Sequence, residues 1–181
     1  MRLFPTVTET IQPYVDFSRI PPDVLNHASL RGTEVHRICL DVYAKGLPVL
    51  GIDPECRGYV DSFIRWFDQI VDEVLLTEER LFDEALGYSG QLDLLVRTKQ
   101  GEVWLTDMKT PLVLSKSWKV QVAAYRNLLI TQKGITPDRC GSLRLDPNGK
   151  AAKVDWYEGV KAAQDFNIFL SALNCFRYFR S

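Results

Sequence analysis

An α/β domain with a mixed central sheet flanked by helices is the fold class this sequence predicts, and three observations predict it. Two stretches with apolar residues at helical spacing come first, at about 22–44 and 57–72. Three alternating stretches follow, separated only by the turn sequences "ALGYSG" and "KQGE". A helical stretch, a pair of short strands and a last helix then complete the order ααβββαββα. At 181 residues and 46% hydrophobic, the chain suits one ordinary domain with a substantial core and is too short for two, so residues 1–181 read as a single domain.

The opening segment, with Pro5, Pro13, Pro21 and Pro22, reads as irregular. The first helix, Pro22 to Ala44, has Val24, Ala28, Val35, Cys39 and Val42 at helical spacing, with Gly32 a point of interruption and Gly46 and Pro48 ending it. The second has Val60, Phe63, Ile64, Phe67, Ile70 and Val71 on one side, a strongly amphipathic pattern. "VLLTEERLFD", "GYSGQLDLLVRT" and "GEVWLTDMKT" follow as strands of a meander. The next helix spans about 116–131, and "GSLRLD" and "AKVDWY" are strands joined through "PNGK", whose Asn148-Gly149 is a hairpin-turn dipeptide. A helix at about 158–179 turns Val160, Ala163, Phe166, Phe169, Leu170, Leu173 and Phe176 to the core. No internal repeat, low-complexity tract or linker is visible.

No apolar run approaches the ~20 residues of a membrane helix, and the N-terminus lacks the apolar core of a signal peptide. A soluble, intracellular (cytoplasmic) protein with no membrane partner is expected. Cys39, Cys56, Cys140 and Cys175 contain no C-x-x-C pair, and they read as reduced packing thiols. A net charge of −1 argues against coating nucleic acid through bulk charge. The distribution is less even: Asp53 to Asp93 holds eleven acids against three Arg, whereas Arg97 to Lys133 holds seven Lys/Arg against two acids.

The stretch "LTDMKTP" carries the chemistry. In "EVWLTDMKT", Val103, Leu105, Asp107 and Lys109 share one strand face, so an acid and a base continue an apolar face. Burying such ions costs several kcal/mol each unless partners compensate. "GQLDLLV" supplies another acid, Asp93, one short turn away. Antiparallel neighbours lie about 4.8 Å apart, so a suitable register brings both carboxylates to one ion, and hard oxygen ligands suit Mg²⁺ or Mn²⁺. Lys109, about 7 Å further along the same face, is positioned to orient water or stabilise charge on a phosphate. Trp118, between Lys116 and Lys119, offers a ring for base stacking with two cations for phosphates, and packing is the alternative. His27 reads as structural.

Asp93 followed by "DMK" on the next strand resembles the core of the PD-(D/E)xK nuclease superfamily. Further pieces, in the family's order, resemble its RecB-like exonuclease branch. "RGTEVH" is similar to the glycine-to-histidine helix motif, with His36 as metal ligand. "TEERLFDEALGYSGQLDLL" is similar to the glutamate strand and Gly-x-x-Asp stretch, with Glu78 preferred over Glu79. "QVAAY" resembles the Q-x-x-x-Y helix motif, with Gln121 and Tyr125, and "FPTVTETI" is similar to the opening of small phage-type members. The likeness covers about residues 4–131.

The resemblance implies a restriction-endonuclease-like fold and a divalent-metal-dependent DNA exonuclease. Its metal ligands would be His36, Asp93, Asp107 and the carbonyl of Met108, and its catalytic set Glu78, Asp93, Asp107, Lys109, Gln121 and Tyr125. DNA contacts would come from Lys116, Trp118, Lys119, Gln121 and Tyr125. The partners implied are DNA with free ends and recombination or replication proteins, in a bacterial cell or phage-infected host. A structure-specific endonuclease or resolvase of the same fold, or a catalytically inactive DNA-binding subunit, are the alternatives. The first motif reads Leu-Asp where the family has Pro-Asp. The cysteine spacing does not resemble that of the iron–sulfur members, so no cluster is expected.

Overall fold

The computed structural model describes residues 4–111 and 113–180. The opening segment, expected to be irregular, contains a short helix. The Thr6 hydroxyl accepts from the Glu9 backbone N–H at 3.1 Å and the Glu9 carboxylate accepts from the Thr6 N–H at 2.8 Å, a reciprocal cap that starts α1 (Val7–Ile11). A single 3₁₀ turn, Gln12–Tyr14, follows.

Helix α2 (Pro22–His36) runs through Gly32 without interruption, but it does not continue as α-helix to Ala44. After His36 the backbone widens into a π-helical turn (Arg37–Val42), and a 3₁₀ turn (Tyr43–Lys45) closes on Gly46 at φ 72°. Ile38, Cys39 and Leu40 are all buried there, a broader apolar arc than one face of an amphipathic α-helix. Helix α3 (Pro54–Ile70) starts three residues before the expected position, because Asp53 caps it by accepting from the Glu55 N–H and Pro54 fits its first turn.

Strands β1 (Val71–Asp83), β2 (Tyr88–Thr98) and β3 (Val103–Lys109) form the expected meander. Helix α4 (Lys116–Lys133), capped by Ser115, crosses over to β4 (Arg139–Arg144), which lies parallel to β3. The short β5 (Lys153–Trp156) pairs antiparallel with β4, and α5 (Val160–Arg180) ends the described chain. The result is a five-stranded mixed sheet in the order β1-β2-β3-β4-β5 with helices on both faces.

Each sheet face has its own core. Leu92, Leu95 and Leu105 pack with α1, α4 and α5 through Val7, Val122, Leu128, Leu129 and Phe169. Leu94, Val96, Met108 and Leu143 pack with α2, α3 and the π turn through Val35, Leu40, Val60 and Phe63. Cys39 and Cys56 are buried in the second layer, Cys140 is buried in the first and Cys175 is exposed; all four are free thiols. No helix among the described residues is long and apolar enough to cross a membrane.

Gly58 sits inside α3, where glycine costs roughly 0.5–1 kcal/mol relative to alanine. A Cβ there would lie 1.7 Å from the carbonyl oxygen of Pro147, in the β4–β5 connection. The glycine thus allows the hairpin to lie directly on the helix. Gly58→Ala should lower stability by roughly 1–3 kcal/mol despite alanine's better helix propensity. Urea unfolding of the two proteins reads the sign, and a gain would mean that the hairpin gives way without cost.

Candidate metal centre and its cleft

Three acids fall in one row across the sheet. The β1/β2 ladder pairs Thr77 with Leu94 and Glu79 with Leu92, which puts Glu78 opposite Asp93. The β2/β3 ladder pairs Leu94 with Thr106, so the next residues along, Asp93 and Asp107, oppose each other. His36 comes to the row from the last turn of α2. Ligand atoms of His36, Glu78 and Asp93 all lie within 4.8 Å of one another.

The hydrogen bonds define what each group can do. Asp93 Oδ2 accepts from the Met108 N–H at 2.7 Å. His36 Nε2 donates to the Met108 carbonyl at 3.2 Å, which leaves the Nδ1 lone pair facing Asp93 Oδ2 at 3.7 Å. Two acceptors face each other across that gap, an arrangement that a proton or a cation would relieve. Met108 thus enters the site as the hydrogen-bond partner of both Asp93 and His36. Gln91 donates a short bond to Glu78 Oε2. Glu78 has φ 51°, the one positive φ at a non-glycine residue among the described residues, and such backbone costs of order 1–3 kcal/mol.

Asp107 is 2% exposed, and its Oδ2 lies 2.6 Å from Lys109 Nζ. This is an ion pair held by charge, for Asp107 Oδ2 has no well-directed hydrogen bond. Lys109 Nζ donates to Gln121 Oε1 at 3.0 Å, and Gln121 Nε2 donates to the Tyr125 hydroxyl oxygen at 2.9 Å. Gly90 makes room for this chain: a Cβ there would meet Tyr125 Cε1 at 2.7 Å and Leu128 Cδ1 at 2.9 Å.

Electrostatics follow from three carboxylates sharing one ammonium. Burial first, and then Asp107, push the Asp93 carboxyl up to about 8, with Lys109 and the Met108 N–H opposing. Burial and then Asp93 raise Glu78. Burial lowers His36 against the pull of Asp107. Burial also works against the Lys109 ammonium, but Asp107 and Asp93 outweigh it and hold the lysine above its usual range. An imidazole and two destabilised carboxylates, with the Asp107 carboxylate beside them, are a donor set that fits a hard or borderline divalent cation.

A cleft of about 840 Å³ opens onto the row, and His36, Glu78, Asp93, Asp107, Lys109, Gln121 and Tyr125 all line it. Two expected DNA contacts are engaged within the protein. Lys119 reaches Asp165 on α5 at 3.2 Å, and Asp165 is 3% exposed, so this lysine ties two helices together. Trp118 is 7% exposed, too buried to stack on a base, and its ring centroid lies 6.0 Å from Lys109 Nζ. Lys116 is exposed at the start of α4. Glu79, the alternative to Glu78, pairs instead with Lys133 at 2.8 Å. His27 pairs with Glu55 at 3.0 Å, away from the row.

Gln91 was not singled out from the sequence, although it stands in the same "GQLD" run as Asp93. Ser142 and Tyr157 were missed as well. Ser142 pairs with Asp107 in the parallel β3/β4 ladder and accepts from the Tyr157 hydroxyl at 3.1 Å. Only the register reveals them.

No family model matches the chain, and no curated protein matches it in sequence. Among solved structures, the crystal structure of SSO0001 is 14% identical with a TM-score of 0.37, over 59% of this chain and 51% of that one. The chain thus spans about half the length of that protein, and a likeness of this size bears on neither fold nor function.

The Asp93 carboxyl sets a pH dependence. Between its ordinary value near 3.9 and about 8 the native state holds a proton that the unfolded chain has released, so stability falls as pH rises. Glu78 acts with the same sign. His36, held below its ordinary value by burial so that the unfolded chain binds its proton more readily, opposes that slope at lower pH. In chelator, stability should therefore drop between pH 6.5 and 8, by roughly 1–2 kcal/mol at about 1.4 kcal/mol per proton per pH unit. Asp93→Asn should flatten the decline in denaturant titrations, and a level wild-type profile would contradict the buried-acid reading.

Proposed function

We propose that this chain is a divalent-metal-dependent deoxyribonuclease with a restriction-endonuclease-like fold, of the RecB-like exonuclease type, acting on DNA with free ends. The observation that carries the reading is the row Glu78, Asp93 and Asp107, with His36 at one side and Lys109 two residues beyond Asp107. The sequence resemblance is a second support, because the resembling segments come from five separate elements, α2, β1, β2, β3 and α4, that line one cleft.

His36, Glu78 and Asp93, with Asp107 beside them, would hold Mg²⁺ or Mn²⁺. When bound, the ion would polarise a phosphodiester and lower the pKa of water. The remaining work falls to the chain. Asp107 keeps Lys109 protonated, and Gln121 fixes the ammonium while Tyr125 fixes Gln121. The ammonium is then a directed donor for an attacking water or for charge developing on phosphate oxygens. Met108 braces Asp93 through its N–H and His36 through its carbonyl, so both ligands are oriented from one peptide.

Digestion of end-labelled linear DNA and of closed circles, with and without Mn²⁺, tests the reading. Linear DNA should be degraded only with metal, and circles should persist; rapid nicking of circles would indicate an endonuclease. Asp107→Asn should lower cleavage on the order of a hundredfold or more while the protein stays folded. Wild-type rates in that variant would remove the proposed centre.

Lys109→Ala should reduce turnover by a similar factor with Mn²⁺ affinity nearly unchanged, since the ammonium acts on water and phosphate. Calorimetry reads the affinity, and its loss would assign Lys109 to holding the metal site together instead.

A further inference from the structure

A cleft that admits a phosphate backbone over three carboxylates needs cations that are not already spent. Its lining contains Arg31, Arg37, Arg80 and Lys109. Lys109 is paired with Asp107 at 2.6 Å. Arg37 holds the Glu34 carboxylate through two bonds of 2.8 and 2.6 Å. Arg80 is exposed, with Gln91 Oε1 at 3.5 Å.

Arg31 differs from these. Its Nε is buried without a hydrogen-bond partner, and its guanidinium lies over the Tyr59 ring at 5.3 Å from the centroid. Tyr59 is a core residue of α3, 6% exposed, so the platform is fixed. A planar fork already held on an aromatic face has less freedom to lose on binding, and its geometry matches two oxygens of a phosphate. Arg31 stands five residues before His36 on α2, about 7.5 Å along the axis.

Building on the nuclease reading, we propose that Arg31, stacked on Tyr59, is a phosphate-binding residue of the cleft. It takes the non-bridging oxygens of a backbone phosphate adjacent to the reacting one. Its contribution is to substrate binding and is independent of base sequence, because a phosphate contact carries no base information.

The test is binding of an end-labelled duplex with a single-stranded overhang, in Ca²⁺, followed by anisotropy across a salt series. Strand integrity is checked on a gel, and Mn²⁺ affinity and Tm are measured on the same preparations. Arg31→Gln should raise Kd about tenfold and reduce the slope of log affinity against log salt by about one, with Mn²⁺ affinity unchanged. Arg31→Lys, which keeps the charge and serves if the glutamine variant does not fold, should keep the slope and lose part of the affinity. Unchanged Kd and slope in the glutamine variant, or unchanged Kd in the lysine variant, overturn the proposal. A lower Tm with an unchanged slope also overturns it, since Arg31 would then only pack. If wild type cleaves DNA while the variants behave that way, the nuclease reading stands and this inference alone fails. If wild type neither binds nor cleaves DNA, both fail.

Discussion

Three carboxylates and one ammonium, gathered where two antiparallel ladders meet, are the constraint on which the rest of the structure depends. Glu78, Asp93 and Asp107 occupy one row, and Lys109, two residues beyond Asp107 on the same strand, answers them with its ammonium. Like charges this close and this dry cannot all ionise without a counter-charge. The surrounding structure is arranged to tolerate that state: a peptide N–H on Asp93, an amide on Glu78, an ammonium on Asp107. Each support comes from a different residue, so the imbalance is distributed and not cancelled.

The fold supplies the rigidity that such a site requires. Strand β2 lies between β1 and β3 and has a packed core on each face, which leaves Asp93 little room to move. Helix α4 brings Gln121 and Tyr125 against the same strands, and Gly90 removes the side chain that would hold Tyr125 away. The Trp118 ring beneath Lys109 and the Lys119–Asp165 tie between α4 and α5 then fix the rotation of α4 about its axis. The residues that do not touch the row set the positions of those that do.

Much of this was legible in the sequence, for identifiable reasons. Alternation in "EVWLTDMKT" and a short turn after "GQLDLLV" are strong local signals, and they suffice to bring Asp93 and Asp107 together. The choice of Glu78 over Glu79 rested on resemblance; the turned backbone at φ 51° that accompanies it has no counterpart in strand periodicity. The neighbours of Trp118 and Lys119 were not legible, because a helical period shows which residues share a face but not what that face meets: Lys119 meets Asp165 on α5, and the Trp118 ring packs under Lys109. The short α1 was overlooked behind its prolines, although the Thr6–Glu9 spacing is that of a reciprocal cap. Arg31 could not be singled out, since its stacking on Tyr59 joins residues 28 positions apart in the chain.

The π-helical turn at Arg37–Val42 has a consequence for how the chain tolerates length changes. A turn closed from residue i to i+5 holds one residue more than an α turn, and such turns are absorbed inside otherwise regular helices. Removing a single residue there would restore α geometry and leave His36 on its side of the cut undisturbed. The approach to α3 on the far side would keep its facing as well, because the turn had already taken up the extra residue, whereas the same deletion from a regular α-helix would swing everything beyond it by about 100° about the axis. One position in this stretch is therefore length the chain can lose, with the helix that presents the imidazole and the segment that seals the layer beneath it still aimed as they are.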